Sequence, residues 1–265
     1  MIIDMSAYIG RWPFAPLGYE SADDLLRLMD RAGVDKAAIT SLNSIFYYDA
    51  EIGNREVGAA CRQHPNRLIP MAAINPNLPR WREHLTACVE QYGARGIRLH
   101  PDFHKYSLLA EHRMPDIGAL MAEAAQRGLP VFVQTSILDM RHYPGYCMVE
   151  EAPIAQVAQA IERYRDNTFI VGGARWFRAR ANELIKHARA ANLTNHYIAT
   201  DGLGGYWDGL GSFVQQIGGE RLLFTSRAPI LYGEAARLVV ETSEISAEDQ
   251  ANILGGNAAR LLGLA

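Results

Sequence analysis

Eight short apolar runs, separated by helical patterns, set the strongest limit on how this 265-residue chain can fold. They cover residues 2–8, 37–42, 68–74, 96–100, 130–135, 168–174, 196–200 and 222–226. Each is too short and too uniformly apolar to be a half-exposed strand. Strands covered on both faces read this way, and such burial belongs to parallel sheets flanked by helices. Helix signals fill the gaps. Ser21 precedes Ala22-Asp23-Asp24-Leu25-Leu26, giving an N-cap with acids in the first turn, and Gly33 follows the last turn. Pro79, Pro115 and Pro153 open helices that end near Gly93, Gly128 and Tyr164. Residues 179–191 set Leu184, Ile185 and Ala188 at helical spacing, residues 233–242 follow the last strand, and 247–254 and 258–262 finish the chain. Strands alternating with helices over this length predict a (β/α)8 TIM barrel in one domain, residues 1–265. A doubly wound sheet is the alternative, but no GxGxxG follows a strand. The Gly-rich stretch 202–211 is read as a loop after the seventh strand.

Composition excludes several function classes. Lys and Arg number 26 against 29 Asp and Glu, a formal charge of −3, which is not the basic balance of a nucleic-acid binder. No apolar run reaches about 18 residues, so a membrane span is not expected. The start has no basic segment before an apolar one and does not read as a signal peptide. Cys61, Cys88 and Cys147 form no CxxC pair, and Cys61 and Cys88 fall in helical patterns as buried filler. The expectation is a cytoplasmic protein with reduced thiols.

A barrel places chemistry at the C-terminal ends of its strands and in the loops that follow. Those ends carry Asp4, Ser6 and Tyr8; Asn43; Asn75; Arg98, His100 and then His104; Gln134; Gly173, Arg175 and Trp176; Thr200 and Asp201; Ser226 and Arg227. Alternation puts Arg98 and His100 on one face, which must be the lumen, because apolar helices cover the other. Aromatic residues crowd the same loops, among them Trp12, Phe14, Phe46, Tyr48, Tyr106, Tyr143, Tyr206 and Trp207. They are read as a pocket wall, a lid or a subunit interface.

Six segments in order resemble the amidohydrolase-related family of metal-dependent TIM-barrel hydrolases and decarboxylases. Ile3-Asp4-Met5-Ser6-Ala7-Tyr8 stands where that family has Asp followed by HxH. Gly96-Ile97-Arg98-Leu99-His100-Pro101 is similar to its fourth strand. Leu129-Pro130-Val131-Phe132-Val133-Gln134 matches a fifth strand ending in histidine. Residues 168–174 match the sixth strand. Arg221-Leu222-Leu223-Phe224-Thr225-Ser226-Arg227-Ala228-Pro229 matches a segment that usually reads Gly-Ser/Thr-Asp-x-Pro. Gly256-Asn257-Ala258-Ala259-Arg260-Leu261-Leu262-Gly263 is similar to the C-terminal helix. The resemblance places metal ligands at Ser6, Tyr8, Gln134, near Gly173 and at Arg227, and none of these is a metal-binding type here. No metal and no cofactor are therefore expected. A rebuilt cation site from His100, His104, His142 and Asp201 is the dissenting reading, and it lacks a recognisable ligand spacing.

The residues that remain suggest roles. His100 or His104 would activate water, Asp201 would orient that base, and Arg227 would hold an oxyanion or a carboxylate in place of the metal's charge. Ser6, Tyr8, Arg98, Gln134, Arg141, His142, Arg175 and Trp176 are expected to contact substrate. Each has a bland alternative: loop anchoring for the histidines, salt bridges for the arginines, an Asx-turn for Asp201, and space filling for Tyr8 and Gln134. The predicted function is metal-independent hydrolysis of an ester, lactone or amide in a small anionic metabolite, aromatic or not. The alternatives are a decarboxylase or lactone isomerase, and an inactive pseudoenzyme that binds a ligand or partner. Neither nucleic acid nor membrane is expected as a partner; a homodimer is a possible assembly.

Overall fold

In the computed structural model, residues 1–47, 49–110, 115–137, 149–173, 177–203 and 209–264 are described. The apolar runs become β1 (Ile3–Ile9), β2 (Lys36–Ser41), β3 (Leu68–Pro70), β4 (Ala72–Ala73), β5 (Ile97–Leu99), β6 (Val131–Gln134), β7 (Phe169–Gly172), β8 (His196–Ala199) and β9 (Leu222–Leu223). All neighbouring pairs are parallel, in the orders β1-β2-β3 and β4-β5-β6-β7-β8-β9. Two sets of backbone bonds turn these two sheets into one barrel. Met71 N donates to Ile39 O (3.0 Å) on one side, and Pro70 O accepts from Arg95 N (2.9 Å) on the other, so β3 and β4 are halves of one stave. At the seam Met5 N donates to Phe224 O (2.9 Å) and Arg227 N to Ser6 O (2.7 Å). Eight staves thus close, as the sequence predicts.

The helices pack outside, and their buried faces meet the outward side chains of the strands in a continuous apolar layer. A smaller cluster fills the lower lumen: Ile3, Met5, Phe132, Ile170 and Leu223, closed from below by Ala258, Ala259 and Leu262 of the helix Asn257–Leu262. The first helix, Ala22–Ala32, begins as expected. Asp24 N donates to Ser21 Oγ and Ser21 N to Asp24 Oδ2, a capping box, and Gly33 ends it with a left-handed φ of 63°.

Among the described residues, two helices longer than a single turn lie outside the predicted set. Ala50–Gln63 buries Ala50, Gly53, Asn54, Val57, Gly58, Ala60 and Cys61, a face on which Val57 is the one large aliphatic side chain. It packs so closely that a Cβ on Gly53 would meet Ser44 N at 2.4 Å. Gly211–Ile217 starts at the last residue of the stretch read as a loop. Among the described residues no helix is long and apolar enough to cross a membrane. Cys61 and Cys88 are buried free thiols, as expected, with burial pushing Cys61 up to about 12.

Candidate active site

The upper lumen is built around Arg98, the central residue of β5, which is fully buried. Its Nη1 donates to Ser6 Oγ (2.9 Å) and Tyr8 Oη (2.7 Å), and its Nη2 to Met5 O (2.8 Å). The guanidinium lies over the rings of Phe132 (4.1 Å) and Tyr8 (5.1 Å). Tyr8 Oη donates on to Gln134 Oε1 at 3.5 Å, and Gln134 Nε2 donates to Ser136 O at 2.8 Å. The expected substrate contacts Ser6, Tyr8, Arg98 and Gln134 therefore bond one another. They plug the lumen, which is the space-filling alternative for Tyr8 and Gln134. Burial raises the Tyr8 phenol above its ordinary value, with Arg98 opposing, so it stays protonated. Asp4 staples the seam: Oδ1 accepts from Ser6 N (2.9 Å) and Ser226 N (3.0 Å), and Oδ2 accepts from Ser226 Oγ.

Arg227 and Asp201 stand on adjoining strand ends. Arg227 Nε is 2.9 Å from Asp201 Oδ2, an ion pair without full hydrogen-bond alignment, and Asp201 Oδ1 accepts from Thr225 Oγ1 at 2.8 Å. Burial raises the Asp201 carboxyl, and Arg227 is the largest influence pulling it down. Among the described residues Asp201 bonds neither His100 nor His104, so its expected role of orienting a histidine has no geometric counterpart. The salt-bridge alternative describes Arg227, with Asp201 as its partner.

The segment after β5 concentrates unsatisfied polar atoms. Among the described residues, both ring nitrogens of His100, Asp102 Oδ1, His104 Nδ1 and Tyr106 Oη are buried without a well-aligned partner. Pro101 opens the single helical turn Pro101–His104 that folds these side chains back over the barrel. Burial pushes His100 well below its ordinary value and brings His104 to about 4, where the backbone of Ile45 and Ser44 opposes the fall. Burial moves Asp102 the other way, up to about 7, against hydrogen bonds from backbone N–H groups. Both shifts favour the neutral imidazole, so at pH 7 the two histidines offer hydrogen bonds as uncharged rings. Asp102, absent from the predicted set, is the group matched to proton transfer near neutrality.

One peptide unit joins Asp102 to Arg227. Ile137 N donates to Asp102 Oδ2 (3.3 Å), and Ile137 O accepts from Arg227 Nη1 (3.4 Å). Asp102 also lines a cleft of about 330 Å³ with Lys105, Tyr106, Glu150, Glu151 and Gln156, and Glu151 is paired with Arg180. The aromatic residues Trp12, Phe14, Phe46 and Phe103 pack together, mostly edge to face with centroids 4.9–5.6 Å apart and with Phe14 and Phe103 tilted at 6.5 Å, in a cluster that includes Tyr8, Leu42 and Ile137. Trp12, Phe14 and Phe46 belong to the aromatic residues expected to form a pocket wall, a lid or a subunit interface; Phe103 joins them here. Arg141, His142, Arg175, Trp176, Tyr48, Tyr143, Tyr206, Trp207 and Cys147 lie outside the described residues.

The amidohydrolase family model matches residues 12–264. The chain belongs to the amidohydrolase family. Solved structures share its barrel. An uncharacterised TIM-barrel protein from Bordetella bronchiseptica is 18% identical, with 99% of this chain and 98% of that one covered and a TM-score of 0.70. A 2,6-dihydroxybenzoate decarboxylase from Rhizobium is 17% identical, with 99% and 98% covered and a TM-score of 0.71. A dihydroxybenzoic acid decarboxylase from Polaromonas sp., described with bound manganese and 2-nitroresorcinol, is 17% identical, with 99% and 97% covered and a TM-score of 0.71. The comparison with curated proteins gives no match.

The residues at the family's metal positions do not fit a divalent cation. They offer a hydroxyl, a protonated phenol, a carboxamide, a glycine and a guanidinium, and Arg98 already holds the first two. A side chain cannot simply be restored at Gly173, where a Cβ would meet Thr135 Oγ1 at 2.5 Å and Phe177 Cδ2 at 2.6 Å. Among the described residues no three His, Cys, Asp or Glu side chains gather as a metal group.

Proposed function

We propose that this chain is a metal-independent enzyme of the amidohydrolase family. It hydrolyses an ester, lactone or amide bond in a small anionic organic molecule at the C-terminal face of the barrel. The observation that carries this reading is Asp102: a buried carboxyl poised at about 7, with Oδ1 unpartnered, one peptide unit from a guanidinium. Ionised Asp102 takes a proton from the attacking water, and the resulting acid returns it to the leaving group. Arg227, oriented by Asp201, hydrogen-bonds the substrate's negative charge or the developing oxyanion. Neutral His100 and His104 supply further hydrogen bonds. The same acid serves a decarboxylation by protonating the carbon that loses carbon dioxide, the reaction named for two of the structural neighbours.

A second reading, a non-catalytic binding protein, is favoured by one observation: Arg98, Tyr8 and Gln134 close the lumen. One experiment separates them. The chelator-treated chain is assayed against aryl esters, lactones, anilides and hydroxybenzoates, beside Asp102→Asn and Arg227→Gln. Turnover that survives chelation and falls to background in Asp102→Asn supports the enzyme. Turnover unchanged in Asp102→Asn sinks the assignment. Saturable binding of such anions with no turnover supports the second reading.

A further inference from the structure

The opposite, N-terminal face of the barrel carries a second polar arrangement. His196 opens β8 and Arg221 immediately precedes β9, so they stand at the starts of adjacent staves. Arg189 reaches the same place from the last turn of the helix Phe177–Ala190. These three side chains line a cleft of about 320 Å³ together with Asn192, Thr194 and Gln216, and no acidic residue lines it. His196 is only 5% exposed, yet neither ring nitrogen has a hydrogen-bond partner among the described residues. Both arginines are held by backbone, Arg189 Nη2 donating to Gln216 O and Arg221 Nη1 to Thr194 O. The Arg221 guanidinium also lies 5.9 Å from the centre of the Tyr197 ring. Among the described residues neither arginine is paired with a carboxylate.

Arg189 is exposed and Arg221 half-buried, so water screens their repulsion; the cleft nonetheless lacks an anion for the two guanidinium groups and a partner for a buried imidazole with both nitrogens unsatisfied. An oxyanion in the cleft answers both. We infer that this cleft binds the oxyanion end of a small metabolite, a phosphoryl dianion matching the two guanidinium charges, with hydrogen bonds from Arg189, Arg221 and His196. Arginine's fork of N–H donors suits such a group, and the polar wall leaves room for the rest of a small molecule. In the empty cleft, burial first and Arg221 second hold His196 down at about 4, so it is neutral. A bound dianion opposes both the burial and Arg221 and raises the proton affinity of the ring, so binding is coupled to proton uptake at His196. The site is distant from Asp102 along the strands and is independent of the activity proposed there.

The test is titration of the full chain with inorganic phosphate and with glycerol phosphate, against sodium chloride at equal ionic strength. It is followed by thermal denaturation, phosphorus NMR and the imidazole resonances. The expected result is saturable binding of both phosphates, with an imidazole resonance that moves to its protonated position. Arg189→Gln and Arg221→Gln each weaken binding by about tenfold or more, the loss of one charge-assisted hydrogen bond. His196→Asn removes the proton uptake. Thermal shifts no larger than those in chloride, or wild-type affinity in both arginine variants, would overturn the inference. The NMR readout on the unaltered chain decides the matter should a variant fail to fold.

Discussion

Replacing Asp102 by asparagine converts a pH-dependent cost of folding into a constant one. The carboxyl sits at about 7 in the folded chain against an ordinary value of 3.8. Below 3.8 both folded and unfolded chains carry the proton, and the favourable contribution of the neutral, buried acid is fully present. Between 3.8 and 7 the folded chain keeps its proton while the unfolded chain loses it. Stability from this group therefore falls as pH rises, by about 1.4 kcal/mol per pH unit. Across the roughly three units between the two values the fall is about 4 kcal/mol. Asparagine does not titrate. The stability of Asp102→Asn minus that of the wild type should therefore climb by about 4 kcal/mol from about pH 4 to about pH 7, then level off. His100, His104 and His196 change stability with pH in the opposite sense, since burial lowers them. They are common to both proteins, and the difference cancels them to first order. Urea unfolding at a series of pH values, with the slope m compared between the two proteins, reads the difference directly. A gap that stays constant from pH 4 to pH 7 would refute the reasoning, because Asp102 would then titrate as an ordinary carboxyl.

Other expectations follow from the same geometry. Arg98→Met keeps the packing against Phe132 but leaves Ser6, Tyr8 and Met5 O without their donor, and should cost about 3–5 kcal/mol in urea unfolding. Tyr8→Phe removes only the hydroxyl between Arg98 and Gln134 and should cost about 1.5–3 kcal/mol. Arg227→Ala leaves Asp201 buried without its counter-charge, and the Arg227→Ala/Asp201→Ala pair should recover part of the loss in a double-mutant cycle. Cys61 and Cys88, held as thiols by burial, should resist iodoacetamide in the native chain and react after unfolding, as peptide mapping would record.

The barrel was legible because its constraint is periodic and local. Eight apolar runs with helix signals between them leave few alternatives, and each run became a stave. The helix Ala50–Gln63 escaped because its buried face is mostly small or polar, with Val57 its one large aliphatic side chain, and it suits close approach more than it shows apolar periodicity. The lumen was half legible. Alternation put Ser6 and Tyr8 on one face, and both meet Arg98 Nη1. That they meet each other's neighbours instead of open space depends on distances across the barrel, which no single strand encodes. The Arg227–Asp201 pair is likewise a product of two adjoining strand ends. Asp102 escaped for a different reason. A carboxyl acquires its unusual proton affinity from burial, and the sequence shows only an acid between two histidines in His100-Pro101-Asp102-Phe103-His104. That spacing, directly after a strand end, was the signal available.

Metal content distinguishes a metal-free site from a rebuilt one. The chain is purified from cells grown with added manganese and zinc, without chelator, and its bound metals are counted by mass spectrometry beside its activity. The account expects far less than one metal ion per chain and turnover indifferent to chelation. One tightly held ion per chain, with activity lost on its removal and regained on its return, would contradict it.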